Sequence, residues 1–88
     1  MLAVLILILG HSMEPSIHGP ALMHRIATPY ASLRVGEIVE YRNDRTHTFV
    51  VHRIVGGWSG KWVMKGDNNR VTDSGYCTPQ NYVGEVVP

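Results

Sequence analysis

Three features of the sequence predict an all-β domain, a small barrel or meander of five to six short strands. Its apolar runs are short and rich in β-branched residues, Gly, Pro, Asn and Asp recur between them, and no stretch keeps a helical apolar period. The first run, Leu2 to Leu9 (LAVLILIL), is read as a buried strand in which Val4, Ile6 and Ile8 alternate with leucines. Its alternative is the stub of a membrane anchor: a spanning helix needs about 20 apolar residues and this run is far shorter. A signal peptide is not indicated, since no basic segment precedes the run and no small-residue cleavage site follows it.

The next stretch, from His11 to Gly36, is punctuated by Pro15, Gly19, Pro20 and Pro29, which preclude a long helix and leave room for a strand over Ala21–Ile26. Glu37–Arg42 (EIVEYR) reads as a strand, Asn43-Asp44 as a turn, and Thr46–Val55 as the returning strand. A glycine-rich connection, GGWSG, then leads to the strand Lys61–Lys65. The polar stretch Gly66 to Asn81 reads as loop, and VGEVV near the C-terminus as a last short strand. Neither a repeat nor a linker divides the chain, so residues 1–88 are expected to form one domain.

With 44% hydrophobic residues, 17% charged residues and a net charge of +1, the composition is that of a globular domain and argues against a nucleic-acid partner. The lone Cys77 has no partner for an internal disulfide and is expected to be structural. The five histidines, His11, His18, His24, His47 and His52, follow no compact ligand spacing, and no cysteine pair assists them. Neither a metal nor another cofactor is expected. Trp58 and Trp62, flanking a turn, are expected to pack against core or edge.

Candidate chemistry begins at Gly10-His11-Ser12-Met13-Glu14-Pro15, which puts a serine directly after an apolar strand. A serine hydroxyl is a weak nucleophile and needs a general base within roughly 2.6 to 3.2 Å. In Phe49–Val55 the strand period of two sets His52 on the face of Val50 and Ile54. An apolar setting disfavours the imidazolium and leaves a neutral ring able to accept a proton, although a core histidine satisfied by a backbone carbonyl has the same pattern. A base of this kind also needs a carboxylate on its other ring nitrogen, for which Asp67 and Asp73 in KGDNNRVTDSG are the candidates.

Together SMEPSI, GEIVEYR, VVHRIVG and KGDNNRVTDSG, in this order, resemble the type I signal peptidases, and they span Ser12 to Gly75. The Ser-Met-x-Pro box and Gly-Asp-Asn-Asn with a second Asp six residues after the first carry the resemblance. In one branch of that family the base is a lysine; in the branch of archaea and the endoplasmic reticulum it is a histidine, which His52 followed by Arg53 matches. The resemblance implies a β-rich catalytic domain, Ser12 as nucleophile with its backbone N–H in the oxyanion site, and His52 as base. It further implies Asp67 and Asp73 as the acids that orient base and loop, and Met13 and Pro15 as substrate contacts. A protein or signal peptide would bind as an extended strand against a sheet edge and be cleaved after a small residue. Membrane association enters through the resemblance alone, and this chain has no full spanning segment before the serine.

The chain departs from the family in two further places. Gly10 stands where members commonly have a serine whose hydroxyl helps stabilise the oxyanion, and Gly36-Glu37 stands where they have Gly-Asp. A Ser-Lys site using Lys61 or Lys65, as in self-cleaving repressors of related fold, is disfavoured because His52 occupies the strand position of that base. The rival of a different class is a non-catalytic β module that binds an extended peptide, which would need none of Ser12, His52, Asp67 and Asp73.

Overall fold

The computed structural model describes residues 3–88, and the described residues form seven strands and one short 3₁₀ turn. The strands are β1 (Ala3–Ile8), β2 (Ala21–Ile26), β3 (Ile38–Asn43), β4 (Thr48–Trp58), β5 (Lys61–Lys65), β6 (Tyr76–Cys77) and β7 (Tyr82–Val87). They make a single antiparallel sheet in the order β1-β2-β7-β3-β4-β5-β6, so the C-terminal strand inserts between the first hairpin and the meander β3 to β6. The sheet does not close: β1 and β6 end it on either side. Among the described residues no helix is long and apolar enough to cross a membrane.

Two turns show how local chemistry sets the meander. Between β3 and β4, Asn43 accepts the N–H groups of Arg45 and Thr46 on its side-chain oxygen, and its carbonyl accepts from His47, which adopts a positive φ of 58°. Between β4 and β5 the connection is tighter than the glycines suggest. Strand β4 runs through Gly56 and Gly57, Trp58 pairs with Lys61, and only Ser59 and Gly60 turn, at φ 46° and 77°. Positive φ at both central residues is what a two-residue hairpin of this hand requires. Gly57 serves packing instead, because a Cβ there would lie 2.6 Å from the Trp62 ring.

The core is built on one face of β3, β4 and β5. Val39, Tyr41, Ile54, Met64 and Cys77 are fully buried, Leu33 nearly so, and Tyr30, Val50, Trp62 and Tyr82 pack around them. Burial pushes the Cys77 thiol up to about 12, which keeps it protonated and unreactive at neutral pH. Trp58, by contrast, is half exposed and stacks edge-on against Tyr76.

The structure corrects two expectations. The first strand is present but not buried: Leu5 is 58% and Leu7 56% exposed, because β1 is an edge strand paired only with β2. The stretch read wholly as loop contains β6, a two-residue strand held on β5 through Trp62–Cys77 and Val63–Tyr76. Its polar surroundings hide it, since one buried cysteine provides its entire inward face.

Truncating a fully buried core side chain in a domain this small should be severe. Met64→Ala is expected to cost about 2–5 kcal/mol, against a total stability of about 5–15 kcal/mol, and to lower Tm by about 10 °C or more. Val71→Ala, at a position 74% exposed, should change stability by less than about 0.5 kcal/mol. Thermal and urea unfolding of the two variants checks both.

Candidate active site

Ser12 lies in the connection between β1 and β2, on a compact turn in which Glu14 N–H donates to the His11 carbonyl and Ile17 N–H to the Met13 carbonyl. Met13 and Ile17 are 1% and 4% exposed, and these two buried side chains pin the turn to the body of the domain. Met13 therefore has only its backbone to offer a bound chain, while Pro15 is exposed on the same turn. The loop after β5 presses on the turn from the other side: Asn68 N–H donates to the Ser12 carbonyl at 2.7 Å and its side-chain amide to the His11 carbonyl. Gly66 permits this approach. A Cβ there would sit 2.7 Å from the Ser12 carbonyl oxygen and 3.0 Å from His52 Nε2.

His52 is buried in the middle of β4, paired across β3 with Val39. Its Nε2 lies 2.9 Å from Ser12 Oγ, and its Nδ1 lies 2.8 Å from each carboxylate oxygen of Asp73. A carboxylate offers only lone pairs, so the ring proton sits on Nδ1 and donates to Asp73. Nε2 is then free to accept the Ser12 hydroxyl proton. Asp73 is held in turn: its N–H donates to the Met64 carbonyl, and Tyr41 donates its phenolic O–H to Oδ2. Burial, reinforced by the hydrogen bond to Asp73, pushes the Tyr41 phenol far above its usual range, so it remains a donor.

The other acidic candidate goes elsewhere. Asp67 takes a two-pronged contact from Arg53, Nε at 2.9 Å and Nη2 at 2.7 Å, and accepts the Ser16 hydroxyl at 2.6 Å. Arg53 also donates to the Gly36 carbonyl. The Arg53 guanidinium, followed by the Ser16 hydroxyl, outweighs desolvation and holds the Asp67 carboxyl at about 2. The structure thus brings Ser12, His52 and Asp73 into one chain of contacts and assigns Asp67 to a clamp between the serine turn and β4. Sequence reasoning missed Tyr41, Ser16 and Asn68. Tyr41 could have been found, because the strand alternation that buries Val39 also turns Tyr41 inward; Ser16 carries no such signal.

In front of the serine runs a groove of about 480 Å³, lined by Ile6 to Gly10, Ser12, Glu40 and Phe49 to His52. One wall is the open side of β1. Beside Gly10 a Cβ would meet nothing within 4 Å, so the backbone there stands clear.

No family model matches the chain. It is similar to the signal peptidase complex catalytic subunit SEC11C of Homo sapiens, with 32% identity over 85 residues covering 90% of this chain and 44% of that protein. The proteins of the same name from Mus musculus and Canis lupus familiaris match with the same identity and coverage. The chain spans less than half the length of these curated relatives.

The Asp67 contacts make a signed prediction about acid stability. A carboxyl lowered to about 2 in the folded chain, against an ordinary value of about 3.9, stabilises the fold fully above pH 4; that contribution is lost as pH falls through 2. Asp67→Asn should be less stable than the wild type at pH 6, and the gap should narrow between about pH 4 and pH 2. Urea titrations across that range measure it, and a constant gap would contradict the assigned clamp.

Proposed function

The chain belongs to the signal-peptidase-like family, and from that premise we propose that residues 1–88 act as one catalytic unit, a serine endopeptidase that cleaves an extended peptide after a small residue. The observation that carries the reading is the alignment of Ser12 Oγ, His52 and Asp73, with Nε2 at 2.9 Å from the hydroxyl and Nδ1 on the carboxylate. A binding module has no use for a proton path of this kind buried beneath an exposed serine turn.

In the proposed mechanism His52 Nε2 takes the proton from Ser12 as the oxygen attacks the peptide carbonyl. Asp73 stabilises the imidazolium that forms, and Tyr41 keeps the carboxylate aimed at Nδ1. The developing oxyanion is met by the Ser12 backbone N–H. His52 returns its proton to the leaving amine, the acyl-enzyme forms, and a water activated by the same ring releases the product. Asp67 does not enter the proton path; it positions the serine turn through Ser16 and β4 through Arg53. The substrate lies along the groove and adds as a strand to the open edge of β1, with its small side chain beside Ser12. A signal peptide or other exported segment has that extended, small-residue character, and similarity to a signal peptidase catalytic subunit supports it as the substrate class.

Ser12→Ala should abolish cleavage of a peptide with small residues before the scissile bond while its thermal midpoint stays within a few degrees of wild type. His52→Ala should abolish cleavage too, at a clear cost in thermal midpoint, because it leaves Asp73 buried without its partner. Asp73→Asn should lower kcat by about 10⁴-fold, because an amide favours the wrong ring tautomer. Full activity in Ser12→Ala would sink the proposal. The space beside Gly10 makes a second prediction: Gly10→Ser should supply a further oxyanion donor and raise kcat by about 10-fold or more with little change in KM.

A further inference from the structure

Glu40 is out of character with the groove it lines. The walls are Ile6 to Leu9, Phe49, Val50 and Val51, and Glu40 is the one carboxylate among the lining residues. It sits on β3 opposite Val51 and Gly84, and its side chain is only 15% exposed. Arg25 on β2 reaches it across β7, with Nη1 at 2.8 Å from Oε1. That reach depends on Gly84, over which the arginine stem passes: a Cβ at Gly84 would lie 2.7 Å from Arg25 Cγ. Arg25 engages Oε1, and among the described residues no donor of the chain engages Oε2.

We propose that Glu40 determines specificity: at one position of the bound strand the groove selects a side chain that donates a hydrogen bond, lysine, arginine or glutamine, over an aliphatic one. This rests on the reading that the groove holds an extended peptide. An aliphatic side chain seated over Oε2 would strip water from a charged oxygen and return nothing. A donor side chain replaces the lost water. An acidic side chain meets like charge. Because the remaining wall is apolar, the aliphatic stem of lysine or arginine finds contact along Phe49 and Val51 while its head reaches the carboxylate.

The test uses a peptide panel with small residues before the scissile bond, in which each position upstream is replaced in turn by Leu, Gln, Lys or Glu. Affinity is measured on Ser12→Ala and cleavage on the wild-type chain. At one position Lys should bind tightest and Gln next, both about 10-fold or more tighter than Leu, with Glu weakest. Glu40→Gln should erase the preference for Lys over Gln. Arg25→Leu combined with Glu40→Val, its fold checked by thermal unfolding, should reverse the order in favour of Leu. A flat profile, a preference for Glu, or a profile unchanged in the Glu40 variants would overturn the assignment. Cleavage with a flat profile would remove the role of Glu40 and leave the peptidase reading standing. A profile that follows Glu40 with no cleavage would do the opposite.

Discussion

Everything in the site depends on a buried carboxylate held against a buried imidazole. Asp73 is 7% and His52 11% exposed by side chain, so neither has enough water to satisfy it alone. Each is therefore fixed by the other. Tyr41 and the Met64 backbone complete the set of partners, and both belong to the central core strands. The orientation of His52 is thus part of the core packing rather than a property of a loop. Ser12 need only be delivered to a ring that is already aimed.

Delivery is the task of a second set of contacts on the opposite face of β4. Adjacent residues of a strand point to opposite sides, so His52 and Arg53 divide the two acids between them: Asp73 to the histidine, Asp67 to the arginine. Through Ser16, the Asp67 clamp reaches the serine turn; through Asn68, the same loop grips the Ser12 and His11 carbonyls. One loop thereby ties base, nucleophile turn and core into a rigid unit, and Gly66 at its start is the residue that lets it come close enough. That rigidity matters because a reacting pair displaced by even about 1 Å loses much of its rate advantage.

This division of labour explains what could be read in advance. The inward face of His52 follows from alternation in FVVHRIV, and the place of Ser12 just beyond a strand from an apolar run ending before a proline-broken stretch. The choice between Asp67 and Asp73 was not available, since it turns on the path of a polar loop whose close approach depends on an absent side chain at Gly66. The same limit hid β6, where a single inward residue gives no period to detect. It also misplaced β1. An unbroken apolar run reads as buried on both faces, yet its exposure depends on which strands lie beside it, and pairing on one side only is a property of topology.

That exposure is itself informative. An open, apolar edge strand is a liability that natural sheets normally blunt with charge, proline or a cover, and β1 has none of these along Ala3–Ile8. The groove gives the edge a use. It runs between the open side of β1 and the segment Phe49–His52, so a strand laid on β1 lies across Ser12 and His52. Capping the edge within the chain would close the groove, and charging it would remove the apolar contact that a bound segment needs. In the proposed reading the unprotected edge and the proton path are therefore one device: the first aligns the backbone of the incoming peptide, and the second acts where that backbone passes the serine.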